Sequence, residues 1–458
     1  MVNRMMIYKR NHFNRNHIAH QAGQPVRRGR IDSDTRWLLG LCLARIGFTL
    51  IFHTYAATQP VLMRSWNLSA RQAGWLHAGF YLGYLISLAG VGVLADRYGA
   101  KRMILLPGIV ASGSAFLFAV FARDFYSGLV SYGTCALFLG GSYTPVLTVI
   151  SQRIAVNRRG RAIGWYIATG ALGHALSLFL SGVMMAHDGW RSAFYMTACG
   201  PVVGTILMFR VLRHPPNVIV PRSPSPAEGN VWRAVLSNKG AMMILGYTCH
   251  SWELLGMRAW LPAFLTAAVA SQMGNGTQAA SAGASIGAIL LATSMVGNIS
   301  GGTLSDRCGR PTVILLMSGL SLVCSFSLGW LVAMPFWLIL LVGMLYSITS
   351  IGDSPVYSTA LSERVPPRFL GAAYALRSVL GFGAGVVSPV VFGLVLDWSQ
   401  GAAGTPRPLA GGLAFASLGL GGLFGLLGML WRHWMSPRAN RTGRGSCEMG
   451  LHQMVMRA

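Results

Sequence analysis

Uninterrupted apolar stretches of roughly 20 residues, the length that crosses a hydrocarbon core, recur twelve times along the chain. They run approximately Trp37 to Leu62, Gln72 to Ala95, Lys101 to Phe121, Phe125 to Ser151, Ala162 to Met185 and Ser192 to Leu212. After a polar stretch they resume as Ala241 to Leu265, Ala282 to Leu304, Thr312 to Ala333, Phe336 to Leu361, Leu370 to Leu396 and Leu409 to Trp431. None alternates with period two. Backbone groups in lipid must be satisfied within the segment unless strands close into a barrel, so these stretches predict helices.

Composition agrees. Of the 458 residues, 53% are hydrophobic and 11% charged, against about 25% charged in soluble domains, which excludes an ordinary water-soluble enzyme. The formal charge of +25 would suit a nucleic-acid binder if the basic residues formed a patch. They lie instead between the apolar segments, so no nucleic-acid partner is expected. With the N-terminus inside, 29 of the 37 basic residues fall in inner loops and tails, and only Arg64, Arg71, Arg123, Arg191 and Arg407 fall outside. This bias places both termini in the cytosol.

Two polar breaks organise the chain. Residues 1–36 carry Arg, His and Asn without the apolar run of a signal peptide, and predict a basic, disordered cytoplasmic tail. At 214–239, Pro215, Pro216, Pro221, Pro224 and Pro226 prevent a helix and mark a cytoplasmic linker. The expected units are therefore a six-helix half at 37–213, a second at 240–432 and a short tail at 433–458. The seven cysteines form no CxxC pair, and no metal or cofactor motif is present, so neither is expected.

The halves repeat. Gly92-Val-Leu-Ala-Asp96-Arg97-Tyr-Gly99 follows the second span and Gly302-Thr-Leu-Ser-Asp306-Arg307-Cys-Gly309 the eighth, at an offset of 210 that also relates Gly133 to Gly343 and Pro145 to Pro355. Such a repeat indicates internal duplication. The pattern resembles the major facilitator superfamily, whose signature GxxxD(R/K)xG(R/K)(R/K) lies after spans two and eight. Gly92 to Arg102 matches with Ala100 interposed, and Gly302 to Arg310 matches up to Pro311. The resemblance implies an all-α membrane protein with twelve transmembrane helices in two pseudo-symmetric halves, working by alternating access. It also implies that Gly92, Asp96, Arg97, Gly99 and Arg102, with Gly302, Asp306, Arg307, Gly309 and Arg310, form a conformational latch between the halves. Glycine there lets a neighbouring helix approach, and the aspartates face the positive end of a helix from the other half. One departure is that Gly173-His174-Ala175-Leu176-Ser177-Leu178 lacks the Gly-Pro pair common in proton-exchanging antiporters of the family.

Ionisable residues within spans are costly and therefore candidates for function. Only Glu253 and Asp353 among the acids, and Arg45, Arg258 and Arg377 among the basic residues, fall inside spans. Glu253 shares a helical face with His250 and is either a proton-coupling carboxylate or a neutral, hydrogen-bonded structural acid. Asp353, Arg377 and Arg45 share a depth. An Asp353–Arg377 ion pair between adjacent spans is the conservative reading, and it leaves Arg45 without an acid. Arg45, Thr49 and His53 form one polar stripe on span one; Tyr346, Ser350, Asp353 and Tyr357 form another on span ten. In the family, spans one, four, seven and ten line the cavity, where these stripes and Glu253 would meet. Each stripe is equally readable as a helix-packing face.

An unpaired guanidinium is a fork for carboxylates and other oxyanions. The expectation is a monomeric, multi-pass transporter of the bacterial inner (plasma) membrane, whose partners are the lipid bilayer, a small anionic organic solute and, as candidate coupling ion, the proton. Arg45, Thr49, His53, Tyr346, Ser350, Asp353 and Arg377 would bind substrate; Glu253 and His250 would carry the coupling. The alternatives are an efflux carrier for amphipathic cations and a non-transporting sensor of the same fold. No Walker loop, HExxH or nucleophile elbow supports a pump or an enzyme.

Overall fold

The computed structural model describes residues 28–213, 235–236, 238–273, 276–366, 369–401 and 407–435, together with 217 and 219. The expected linker and tails fall largely outside the described residues. Among those described, eleven helices are long and apolar enough to cross a membrane. One of them, Arg158–Val211, has 54 residues, about 80 Å at 1.5 Å per residue, far more than one crossing needs. Its backbone breaks at Asp188 and at Gly189, whose φ of 78° is the left-handed turn that glycine tolerates. It therefore supplies two spans, which gives twelve.

In chain order the spans are α1 Ser33–Ser65, α2 Ala70–Tyr98, α3 Ala100–Phe121, α4 Phe125–Arg153, α5 158–187 and α6 190–211. The second half is α7 Gly240–Gln272, α8 Thr277–Cys308, α9 Arg310–Ala333, α10 Phe336–Ser362, α11 Leu370–Gln400 and α12 Pro408–Leu430. Three spans are interrupted near mid-depth. Helix stops at Thr49 and restarts at Thr54 in α1, breaks at 140–143 in α4, and breaks at Asp353 in α10. The duplicated Pro145 and Pro355 each sit in the first turn after such a break, where the missing N–H costs nothing.

The two ends of the bundle differ. At the end opposite the basic loops the halves are in contact. A Cβ on Gly74 would lie 2.4 Å from the Pro389 carbonyl oxygen, and one on Gly393 2.3 Å from that of Ala70, so only glycine allows α2 and α11 this approach. Ser281 of α8 donates to the Gly182 carbonyl of α5 at 2.7 Å. Asp397, at the end of α11, accepts from the backbone N–H groups of Ala70 and Arg71, one per carboxylate oxygen, at 2.8 Å each. These are orphan donors at the N-terminus of α2, where a negative charge also meets the positive end of the helix dipole.

At the basic end Gly92 and Gly302 of the duplicated motif look onto open space. A Cβ on Gly92, Gly160, Gly302 or Gly371 would meet nothing within 4 Å, so Gly92 and Gly302 do not serve close helix approach in this conformation. Gly99 and Gly309 instead turn the chain between helices at φ 89° and 87°, a region that other residues enter only with strain. Asn217 secures the first turn, donating to the Tyr98 carbonyl at 2.7 Å. Asp306 pairs within its own half with Arg310, which also reaches Glu363 at 3.2 Å. Arg97, Arg102 and Arg307 are exposed.

Asp397→Asn removes the charge and one of two acceptors, an effect of about 1 kcal/mol. The expected outcome is a roughly fivefold larger population with the far end apart, read as a longer spin-label distance between Tyr126→Cys and Trp398→Cys in a background lacking exposed Cys199. An unchanged distance distribution would show that the contact does not hold this end closed.

Candidate functional site

Two separate polar sites occupy the middle of the bundle. The first is a polar cluster where the halves meet, around the expected substrate cavity. Arg45 of α1 is 5% exposed and donates through Nη1 to the carbonyl and hydroxyl of Ser142, at 3.1 and 3.0 Å. The carbonyl is available because α4 breaks there, and Tyr166 donates to it as well. The Tyr143 ring lies 4.9 Å from the Arg45 guanidinium, leaving Nε without a partner. Across the cavity, Arg377 of α11 donates to Ser358 and stacks 4.2 Å from the Tyr247 ring centroid. Tyr143 lies within electrostatic range of both arginines, one from each half.

A third guanidinium faces the cavity, that of Arg258 on α7. It lies within electrostatic range of Tyr81, His53 and His174, all from the other half. His53 and His174 meet edge to face at 5.0 Å, beside the break in α1 where the His53 backbone N–H donates to Ser177 at 3.1 Å. No described acid pairs with Arg45, Arg258 or Arg377. Tyrosine faces and hydroxyls offset part of the desolvation of these cations, but no anion is supplied by the described residues.

The second site is a chamber inside the C-terminal half, enclosed by α7, α9, α10 and α12. Asp353, at the break in α10, stands 2.8 Å from His250 Nδ1 and accepts from Ser318 of α9 at 2.8 Å. Glu253 accepts from Ser321 of α9 at 2.7 Å, and a Cβ on Gly422 of α12 would lie 2.6 Å from its Oε2. Ser350 also lines the chamber, and its buried hydroxyl has no partner. Both in-span carboxylates are therefore turned away from the cavity that holds the arginines.

This arrangement departs from the sequence reading in four respects. Asp353 pairs with His250, not with Arg377, because the break in α10 directs it toward α7 and α9. Tyr346, which donates to Ser325 of α9 at 3.0 Å, and Ser350 face the interior of their own half rather than the stripe carrying Arg45. Thr49 is fully buried and returns its hydroxyl to the Arg45 carbonyl at 2.9 Å, packed so closely that a Cβ on Gly173 would overlap it. Arg258, which was not among the expected binding residues, points away from Glu253, five residues and about 140° around the helix, and so toward the other half. The sequence signal for it was its register with Tyr247, eleven residues earlier and about 20° away around the helix.

A family model described as Major Facilitator Superfamily matches residues 38–389. The chain is 25% identical over 71% of its length, and 76% of the relative's, to a protein named as a probable 4-methylmuconolactone transporter of Cupriavidus pinatubonensis. It is 25% identical over 78% of its length, and 87% of the relative's, to the hexuronate transporter of Bacillus subtilis. Among solved structures it is similar in fold to a bacterial homologue of the human lysosomal transporter Spinster, in an inward-facing and occupied conformation. That likeness has a TM-score of 0.69 at 16% identity, covering 88% of this chain and 97% of the other.

A double-mutant cycle checks the reassigned pairing. His250→Ala and Asp353→Asn should couple by roughly 0.5–3 kcal/mol in thermal unfolding, whereas Arg377→Gln and Asp353→Asn should be additive within about 0.5 kcal/mol. Additivity in the first pair, or coupling in the second, would restore the sequence reading.

Proposed function

Since the chain belongs to the major facilitator superfamily, and is accordingly a membrane-embedded secondary transporter of small molecules rather than an enzyme, we propose that its cargo is an organic anion. The observation that carries this reading is the separation of charges: three guanidiniums without a described acid face the cavity between the halves, while both in-span carboxylates are withdrawn into the chamber. A carboxylate entering the cavity gains charge-assisted hydrogen bonds from a planar fork. Arg45 and Arg377, one from each half, are its proposed ligands, with His53 beside them. The names of the two relatives, which denote organic acids, support the same class. An amphipathic cation would instead meet positive charge, with Glu253 and Asp353 out of reach.

Glu253 and His250 are the proposed proton-coupling residues, with Asp353 joining them as the partner of His250. Proton symport would offset the charge of the anion and let the chamber respond to the cargo next to it through α7, which carries Glu253 on one face and Arg258 on another. The protein is proposed to act as a monomer in a bacterial plasma membrane with both termini in the cytosol. In that orientation the duplicated motifs lie at the cytosolic end, where Gly92 to Arg102 with Gly302 to Arg310 form the latch that closes it when the site faces outward.

The test is flux in proteoliposomes with an imposed pH gradient, using radiolabelled benzoate and glucuronate alongside the cation tetraphenylphosphonium. Losing a charged hydrogen-bond donor is worth about 1.5–3 kcal/mol, so Arg45→Gln should raise the carboxylate KM roughly ten- to hundredfold. Glu253→Gln should abolish its dependence on the pH gradient. Cation transport unaffected by Arg45→Gln, with no carboxylate flux in the wild type, would overturn the proposal.

A further inference from the structure

The chamber inside the C-terminal half is built on a regular ladder. α9 and α10 run antiparallel, and two side-chain pairs define their register: Ser318 donates to Asp353 at 2.8 Å, and Tyr346 donates to Ser325 at 3.0 Å. The second pair lies seven residues on along α9 and seven back along α10. Between the two, three residues from the first pair and four from the second, Ser321 stands opposite Ser350. This middle rung is not made. Ser321 gives its hydroxyl to Glu253 of α7 at 2.7 Å, and the hydroxyl of Ser350, a residue 3% exposed, has no partner.

α7 keeps the same register. His250 meets Asp353 and Glu253 meets Ser321, so α7, α9 and α10 each contribute two residues three apart. The two carboxylates therefore stand roughly 4.5 Å apart along the bundle. That is too far for a direct hydrogen bond, but within the roughly 5.5 Å that one water spans between two oxygens. The space lined by Ser321, Ser350, Glu253 and Asp353 has room for about one water molecule. It offers that molecule the Ser350 hydroxyl, the Glu253 carboxylate and Asp353 Oδ1, which stands 2.8 Å from His250 Nδ1 without an aligned hydrogen bond. Three partners are typical of a buried water.

We propose that the open rung seats one water molecule, which joins Glu253 to the Asp353–His250 pair, so that the two carboxylates take up a single proton between them. The proposal rests on the proton-coupling and anion readings above and adds to them a count, one proton for each monovalent cargo anion. A proton held by Glu253 passes to the water as the water releases one of its own to Asp353 Oδ1. One O–H bond forms at the water as another breaks, and the number of protons in the chamber is unchanged by the exchange. Once one proton is bound, the remaining negative charge is held by Ser318 and His250, whose contacts a second neutral acid would leave poorly matched. The other titratable groups facing the carboxylates are Cys324 of α9 and Tyr346 and Tyr357 of α10, with Cys249 of α7 beside Tyr357. Among the described residues α12 lines the chamber with Gly422 and Gly425 alone. None of these brings a cation that would replace the proton.

The test is radiolabelled benzoate flux in proteoliposomes of the full-length protein, with the pH gradient and the membrane potential set independently and thermal unfolding recorded for each variant. One proton per benzoate makes the transported pair neutral. A pH gradient should therefore balance an equal benzoate gradient at zero net flux, and an imposed potential should leave that balance where it is. Glu253→Gln and Asp353→Asn should each abolish the pH drive, and the double variant should lose no more. Ser350→Ala, which removes one partner of the water, should slow pH-driven flux roughly fivefold. It should leave benzoate exchange at equal pH on both sides, and the unfolding midpoint, close to those of the wild type. Two results would overturn the shared site and leave proton coupling standing: a balance point moved by the potential toward two protons per benzoate, or pH-driven flux in Ser350→Ala equal to the wild type's. Wild-type benzoate flux indifferent to the pH gradient would overturn the shared site and the coupling reading together.

Discussion

A guanidinium withdrawn from water costs several kcal/mol unless charge or hydrogen bonds replace the solvent it loses. Between its halves this protein holds Arg45 buried and Arg258 and Arg377 half-buried, and no described ion pair joins them to its two in-span carboxylates. Arg45 leans on Ser142 and the faces of Tyr143 and Tyr166, and Arg377 on Ser358 and Tyr247. These contacts make burial tolerable without cancelling the charge. Under the proposed anion reading, a cargo that brings negative charge offsets the charge held by both halves at once.

The backbone is part of the same arrangement. Non-helical segments at membrane depth persist only where protein or a water-filled cavity satisfies their polar groups. The breaks in α1, α4 and α10 meet that condition with candidate site residues: Ser142 receives Arg45 and Tyr166, Ser177 receives the amide of His53, and Asp353 stands at the α10 break against His250. The interruptions and the buried charges stabilise one another. Rigid pieces of helix on either side of each break suit a pair of bodies rocking about a central site better than flexible loops would.

Much of the fold was legible because lipid imposes a simple rule on sequence. Apolar run length gave the spans, the basic residues suggested an orientation, and the offset of 210 exposed the duplication, including Pro145 and Pro355, which mark two of the helix breaks. The functional residues were legible as candidates but not in their pairing. Sequence gives the depth of a residue through its distance from a span end, and on that basis Asp353 and Arg377 were expected near one level. It does not give the direction a side chain takes after a break, and at Asp353 that direction decided the partner. Arg258 carried no expected role, because its place about 140° around α7 from Glu253 does not by itself say that this direction leads toward the other half. The cap of Asp397 on α2 joins residues more than three hundred positions apart and leaves no local pattern at all.

The claim on which the account rests is that the cavity carries net positive charge awaiting an anion. Ligand-dependent stability of the purified protein measures this most directly, since a ligand at a hundred times its Kd stabilises the state it binds by about 2.7 kcal/mol. The account predicts that small organic carboxylates raise the unfolding midpoint, that tetraphenylphosphonium does not, and that replacing Arg45, Arg258 and Arg377 together by glutamine abolishes the carboxylate effect. Stabilisation by the cation, with none from any carboxylate, would contradict it.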